Sequence, residues 1–264
     1  MDLQIAGRVA LVSGGSRGLG RASALRLAQE GVCVVIAARS QPAIDETVAT
    51  IVSAGGRAVG VAADMTTAEG VAAANEAANR TFGPPDIAIA NVHSPPDGDF
   101  FEVDEPRFHD AFQRLTVSIA LLARAVVPAM RTRRWGRIVN IASGSAKEPP
   151  RELRHVLGNT ARASGITLCK SLANELGPDG ITVNSIGTGL FRTGFMEDYF
   201  DRLADEHATT RERAVEAWCE SLPMRRPGRP EEMAGLCAFL CSEWAGYLTG
   251  QLITHDGGFG RSAF

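Results

Sequence analysis

The chain reads as a single α/β domain built on a doubly wound parallel sheet of about seven strands. Three observations predict this. Short β-rich runs alternate regularly with longer amphipathic stretches, the pattern of strands joined by helical crossovers. The short runs are rich in Val, Ile and Ala without polar alternation, as in strands covered on both faces. A length of 264 residues with 45% hydrophobic and 22% charged residues suits one large globular domain over 1–264.

Taken in order, the first strand (8–13) runs straight into a glycine-rich turn, and a helix near 18–30 follows. A purely apolar run predicts the second strand (32–38), with a helix near 42–54 behind it. The third strand (57–62) and a helix near 67–82 repeat the unit. The fourth strand (86–91) leads to the longest helical stretch, near 105–134. The fifth (137–142) is followed by a helix near 157–177, the sixth is at 181–186, and a helix near 230–242 precedes a last strand at 251–254. The only long irregular region is 187–226. It carries Phe191, Phe195, Met196, Tyr199 and Phe200 amid acidic residues, and is expected to be a lid or substrate loop.

Composition excludes several classes of function. A net charge of −3 provides no basic field for a nucleic-acid backbone. Met1-Asp2-Leu3-Gln4 lacks the charged and apolar regions of a signal peptide. The apolar stretches 32–38 and 119–130 are too short to span a bilayer or are interrupted by Arg124, so no membrane is expected. Five cysteines at 33, 169, 219, 237 and 241 show no metal spacing and read as small core residues of a cytoplasmic protein. No metal is expected.

The strongest motif is Ser13-Gly14-Gly15-Ser16-Arg17-Gly18-Leu19-Gly20, placed after an apolar strand and opening a helix. Glycines there let the backbone approach a pyrophosphate, and the helix N-terminus offers free N–H groups. Further along stand Asp64, Asp86-Ile87 into Asn91, and Gly136-Arg137-Ile138-Val139-Asn140-Ile141-Ala142-Ser143. Gly180-Ile181-Thr182-Val183-Asn184, Pro230-Glu231-Glu232 and Thr249-Gly250-Gln251 into Asp256-Gly257-Gly258 complete the series.

Over nearly its whole length, and in this order of motifs, the chain resembles the short-chain dehydrogenase/reductase family. The resemblance implies a Rossmann fold and a nicotinamide cofactor. It places Gly14, Ser16, Arg17, Gly18, Leu19, Gly20, Arg39, Ser40, Asp64, Met65, Asn91, Arg162, Gly189 and Thr193 at that cofactor. Charge selects which one. At the end of the second strand, where NAD enzymes carry an acid for the ribose, the chain reads Ala38-Arg39-Ser40, and Arg17 adds a second cation. NADP(H) is expected.

The family's catalytic pattern is a Ser, a Tyr, a Lys four residues after the Tyr, and a supporting Asn. Ser143 matches the serine. Gly158 stands at the Tyr position, Arg162 at the Lys position and Leu115 at the Asn position. Neither tyrosine restores the register, because Leu203 and Gln251 follow Tyr199 and Tyr247 by four. The chain therefore reads as a divergent subgroup with a preserved cofactor site and a rebuilt or absent proton-transfer site. Candidate replacements are Arg162 as a fixed cation, and Lys147, one of two lysines and titratable if desolvated. His155 shares a helical face with Gly158 and Arg162 if the helix starts early enough, and His93 lies just past the fourth strand. Ser145 reads as loop.

The leading expectation is an NADP(H)-dependent oxidoreductase acting on a carbonyl or secondary alcohol of a small molecule, with an atypical proton route. The alternative is an NADP(H)-binding protein without redox chemistry, a sensor or pseudoenzyme subunit. By resemblance, the long helices after strands four and five imply a homo-oligomer, dimer or tetramer.

Overall fold

The structure is a computed structural model and describes residues 1–93, 98, 100–150 and 155–262. Seven strands form one parallel sheet in the order β3-β2-β1-β4-β5-β6-β7. They are β1 (Val9–Ser13), β2 (Cys33–Ala38), β3 (Arg57–Ala62), β4 (Ile87–Ala90), β5 (Gly136–Ser143), β6 (Ile181–Thr188) and β7 (Leu252–His255). The central strands β1, β2 and β4 to β6 are buried almost throughout, as their unbroken Val/Ile/Ala runs require. β3 and β7 are edges and are only partly covered, so the expectation of burial on both faces fails for these two.

Two helical layers cover the sheet. On one face α1 (Gly18–Gln29), α2 (Gln41–Ser53) and α9 (Pro230–Leu240) bury Leu27, Ile44, Ile51, Met233 and Cys237 against Ile36, Ile87 and Ile89. On the other, α3 (Ala68–Thr81), α5 (Ser118–Arg133) and α6 (Val156–Leu176) bury Val71, Leu122, Met130 and Cys169 against Leu11, Val35 and Ile138. All five cysteines are buried and unpaired.

The predicted 105–134 helix is α4 (Glu105–Phe112) joined to α5 through one π-helical turn, Gln113–Val117. The continuous Glu105–Arg133 helix is long and apolar enough to cross a membrane by length and composition. Its α5 part packs Ile119, Leu122, Val126 and Met130 into the core, the behaviour of a core helix.

The 187–226 region is not irregular. β6 continues to Thr188, and two helices follow, α7 (Gly194–Glu206) and α8 (Arg211–Cys219). Thr193 and Thr210 cap them by accepting from Met196 N and Arg213 N. Met196, Tyr199, Phe200, Leu203 and Ala204 repeat at helical spacing and meet Ala214, Val215 and Trp218 in a small separate core. Acidic residues between those positions hide the period in the sequence.

The strand order places the switch point between β1 and β4, where the chain changes direction across the sheet. The crevice at the C-terminal strand ends there is the expected ligand position.

Candidate active site

A cleft of about 2500 Å³ opens at those strand ends. It is larger than the roughly 300–1,000 Å³ of ordinary small-molecule pockets. Of the residues singled out in the sequence, Gly14, Ser16, Arg17, Gly18, Leu19, Arg39, Ser40, Asp64, Met65, Asn91, Gly189 and Thr193 line it, together with Ser143, Lys147, His155 and Arg162.

One end is built from backbone. Ser13 Oγ donates to Asn91 O at 3.1 Å, Gly14 N donates to Ala37 O at 2.8 Å, and Asn91 Nδ2 donates to Gly14 O at 3.3 Å. These bonds tie the turn across β1, β2 and β4. Gly14 and Gly18 have φ of 60° and 53°, where a side chain is strained. A Cβ on Gly14 would lie 2.4 Å from Asn91 O. Gly20 does not line the cleft. Its place is behind the turn, where a Cβ would sit 2.2 Å from Gly14 O. The α1 N-terminus has no side-chain cap, so its first N–H groups remain for a ligand. Thr193 closes over this turn, its Cγ2 within 3.7 Å of a Cβ placed on Gly18.

Arg17 and Arg39 are exposed on the cleft wall. Among the described residues neither has a carboxylate within ion-pairing reach. Asp64 is held by Thr66, accepting from its hydroxyl at 2.7 Å and its N–H at 2.9 Å. Those bonds, with lesser help from Arg39 and Arg114, hold its carboxyl below the usual range. Arg114 was missed by sequence reasoning. It lies on the π-helical turn, its Nε donates to both Asp110 oxygens, and it lines the cleft. π-Helical turns inside helices collect at functional sites, the one signal available.

The other end is built from side chains. Ser143 closes β5 opposite Thr188 of β6. Its Oγ lies 2.9 Å from Ser145 Oγ, accepts from Ser145 N at 3.3 Å, and is 3.4 Å from Thr188 O. Ser145 therefore belongs to a tight helical turn, Gly144–Ala146, and not to open loop. Lys147 follows it and is exposed at the rim of the cleft.

α6 starts at Val156, one residue too late to include His155, which occupies the N-cap position. His155 and Arg162 still both line the cleft, whereas Gly158 between them is buried and does not. Leu115 lines a second, water-sized cavity behind the cleft, shared with Arg114, Arg162 and Asn140. His93 packs edge-on against Phe195 at 5.1 Å. Burial, then the charges of Arg39, Arg114 and Arg162, push its imidazole below the ordinary 6.5. It is therefore neutral near pH 7 and a weak proton donor.

The outer wall is aromatic. Trp218 stacks on Phe259 at 6.3 Å and meets Tyr199 at 6.2 Å. The C-terminal segment carrying Phe259 is pinned by Glu148, whose carboxylate accepts from Arg261 N at 2.9 Å and Ser262 N at 3.1 Å.

A parallel sheet with an uncapped helix and glycine cradle at its switch point is the architecture of a dinucleotide-binding protein. A family profile described as enoyl-(acyl carrier protein) reductase matches residues 14–260. The chain is 34% identical over 255 residues to dehydrogenase/reductase SDR family member 4 of Oryctolagus cuniculus, covering 96% of this chain and 94% of that one. It is 32% identical to the short-chain reductase protein NovJ of Streptomyces niveus, covering 95% and 93%. The L-sorbose reductase of Gluconobacter frateurii, solved with NADPH and L-sorbose, superposes with a TM-score of 0.95 at 31% identity, covering 99% and 100%. The chain belongs to the short-chain dehydrogenase/reductase family of oxidoreductases.

Proposed function

We propose that this protein is an NADP(H)-dependent oxidoreductase for a carbonyl or secondary alcohol of a small molecule, belonging to a divergent subgroup without the Tyr/Lys pair. The observation that carries the cofactor choice is Arg17 and Arg39, two exposed guanidiniums beside Ala38 at the end of β2, where no acid stands. The NADPH held by the L-sorbose reductase relative supports the same choice. Gly14, Ser16, Gly18, Leu19 and the α1 N-terminus would hold the pyrophosphate, with Gly20 keeping the turn closed. Ser40, Asp64, Met65 and Asn91 would flank the adenosine half, and Gly189, Thr193 and Arg162 the nicotinamide half. The cofactor, when bound, supplies or accepts a hydride. Ser143 holds the substrate oxygen, and Arg162 sets a fixed positive charge beside it. His155 also lines the cleft there, and Lys147 stands at its exposed rim outside the proton route.

The 193–222 helices and Phe259 form the substrate wall, in the place of a loop lid. Assembly as a homodimer or homotetramer through α4 to α6 is supported by Phe112 and Val117, which are 37% and 39% exposed. Buried, unpaired cysteines support a cytoplasmic location.

Fluorescence titration with NADPH and NADH tests the cofactor reading. A charge-assisted contact contributes about 1.5–3 kcal/mol, so NADPH should bind about ten- to a hundredfold more tightly, and Arg39→Asp should erase the preference. Equal affinity in the unmodified protein would overturn it.

A further inference from the structure

The turn after β5 brings two hydroxyls together at the cleft wall. Ser143 ends the strand, and the Gly144–Ala146 turn carries Ser145 back over it, leaving the two Oγ atoms 2.9 Å apart. Both side chains are half-buried and line the cleft. A hydroxyl has one proton to give and two acceptor positions. One acceptor position of Ser143 Oγ is taken by Ser145 N–H. When Ser143 gives its proton to a substrate oxygen, its remaining acceptor position matches the Ser145 hydroxyl. The bonds then run in one direction, from cleft water through Ser145 and Ser143 to the substrate.

We propose that Ser145 and Ser143 form a two-hydroxyl proton relay to the substrate oxygen. Ser145 is a positioning residue that acts through Ser143. The proposal rests on the oxidoreductase reading above. Once the carbonyl carbon has received its hydride, the former C=O π pair resides on oxygen as an alkoxide. That oxygen takes the Ser143 proton, Ser143 takes the Ser145 proton, and Ser145 takes a proton from cleft water. Each serine breaks one O–H bond and forms one. The hydroxide left behind is neutralised by bulk solvent, so one proton is consumed for each hydride. Bulk water has a pKa of about 15.7, close to that of a simple alcohol, so the transfer is nearly level and leaves no charged serine. Such a chain suits a site where His93 is disfavoured as a cation by partial desolvation and by the charges of Arg39, Arg114 and Arg162, and where Lys147 is exposed at the rim.

The test uses a panel of aryl methyl ketones, each paired with its trifluoromethyl analogue, whose alkoxide is far less basic and needs the proton less. Parent, Ser145→Ala and Ser145→Thr are compared, with NADPH affinity measured by fluorescence for all three. Ser145→Ala should lower kcat on the methyl ketones by about a hundredfold or more, the low end of what a positioned proton donor contributes. The trifluoromethyl ketones should lose much less, NADPH affinity should hold, and Ser145→Thr should recover most of the rate. Equal rates in parent and Ser145→Ala, or equal losses on both ketone classes, overturn the relay while the oxidoreductase reading stands. A parent that binds NADPH tightly yet reduces no ketone in the panel fails on the oxidoreductase reading, and the relay falls with it.

Discussion

The two ends of the cleft are made of different material. The dinucleotide end is backbone: positive-φ glycines, an uncapped helix start and carbonyls bound across three strands within one local stretch of chain. The substrate end is a set of side chains drawn from separate segments, including Ser143 at the end of β5 and Ser145 just after it, His155 at the α6 N-cap and Arg162 on α6, Tyr199 and Trp218 on α7 and α8, and Phe259 near the C-terminus. At Gly14 and Gly20 the cradle tolerates no added Cβ, because the nearest colliding atoms are themselves backbone. A side-chain site can change its residues while the sheet beneath stays put. That contrast fits the proposed reading, in which the turn keeps its glycines while Gly158 and Arg162 stand at the family's Tyr and Lys positions.

The largest effect should come from adding a side chain to the backbone end. Gly20→Val drives a Cβ to about the 2.2 Å approach on Gly14 O. Overpacking of this kind costs about 1–3 kcal/mol, which lowers Tm by about 2–12 °C in a domain of this size. NADPH binding should be lost in the same titration. A variant that melts and binds like the parent would break the comparison.

At the other end, Arg162→Met should weaken NADPH by about ten- to a hundredfold, the loss of one charge-assisted contact, and should lower kcat as well. Lys147→Met removes an exposed rim charge and should leave affinity and kcat within about twofold, as surface substitutions usually do. Steady-state kinetics on the ketone panel decide it. A Lys147→Met collapse with an intact Arg162→Met would reverse the assignment.

The smallest effect concerns α9, which packs on α1 behind the cradle. Arg226 foremost, with the Arg229 N–H, holds the Glu232 carboxyl at about 2 against an ordinary 4.5. A depressed carboxyl stabilises the fold above its ordinary value, and that contribution is lost as pH falls toward about 2. Glu232→Gln should therefore melt slightly below the parent at pH 7, with the gap closing as the pH approaches 2. A gap independent of pH would contradict this role.

The sheet was legible because its strands are unbroken apolar runs, and the cradle because its glycines lie within one turn. Other features were not. α7 was hidden by Glu197, Asp198, Asp201 and Asp205, which break up the apolar period that Met196, Tyr199, Phe200 and Leu203 keep. The Ser143–Ser145 pairing depends on a single tight turn, and the Glu148 hold on Arg261 and Ser262 joins positions more than a hundred residues apart. Neither contact leaves a local pattern. The exposure of Lys147 is likewise set by the turn that carries it.

The most direct test follows nicotinamide absorbance while the unmodified protein is offered a broad panel of carbonyls with NADPH and of secondary alcohols with NADP. The account predicts that at least one carbonyl or alcohol changes the absorbance, and that Arg39→Asp slows that reaction with NADPH. Tight NADPH binding with no change across the whole panel would contradict it, and would mark the cleft as a binding site without redox chemistry.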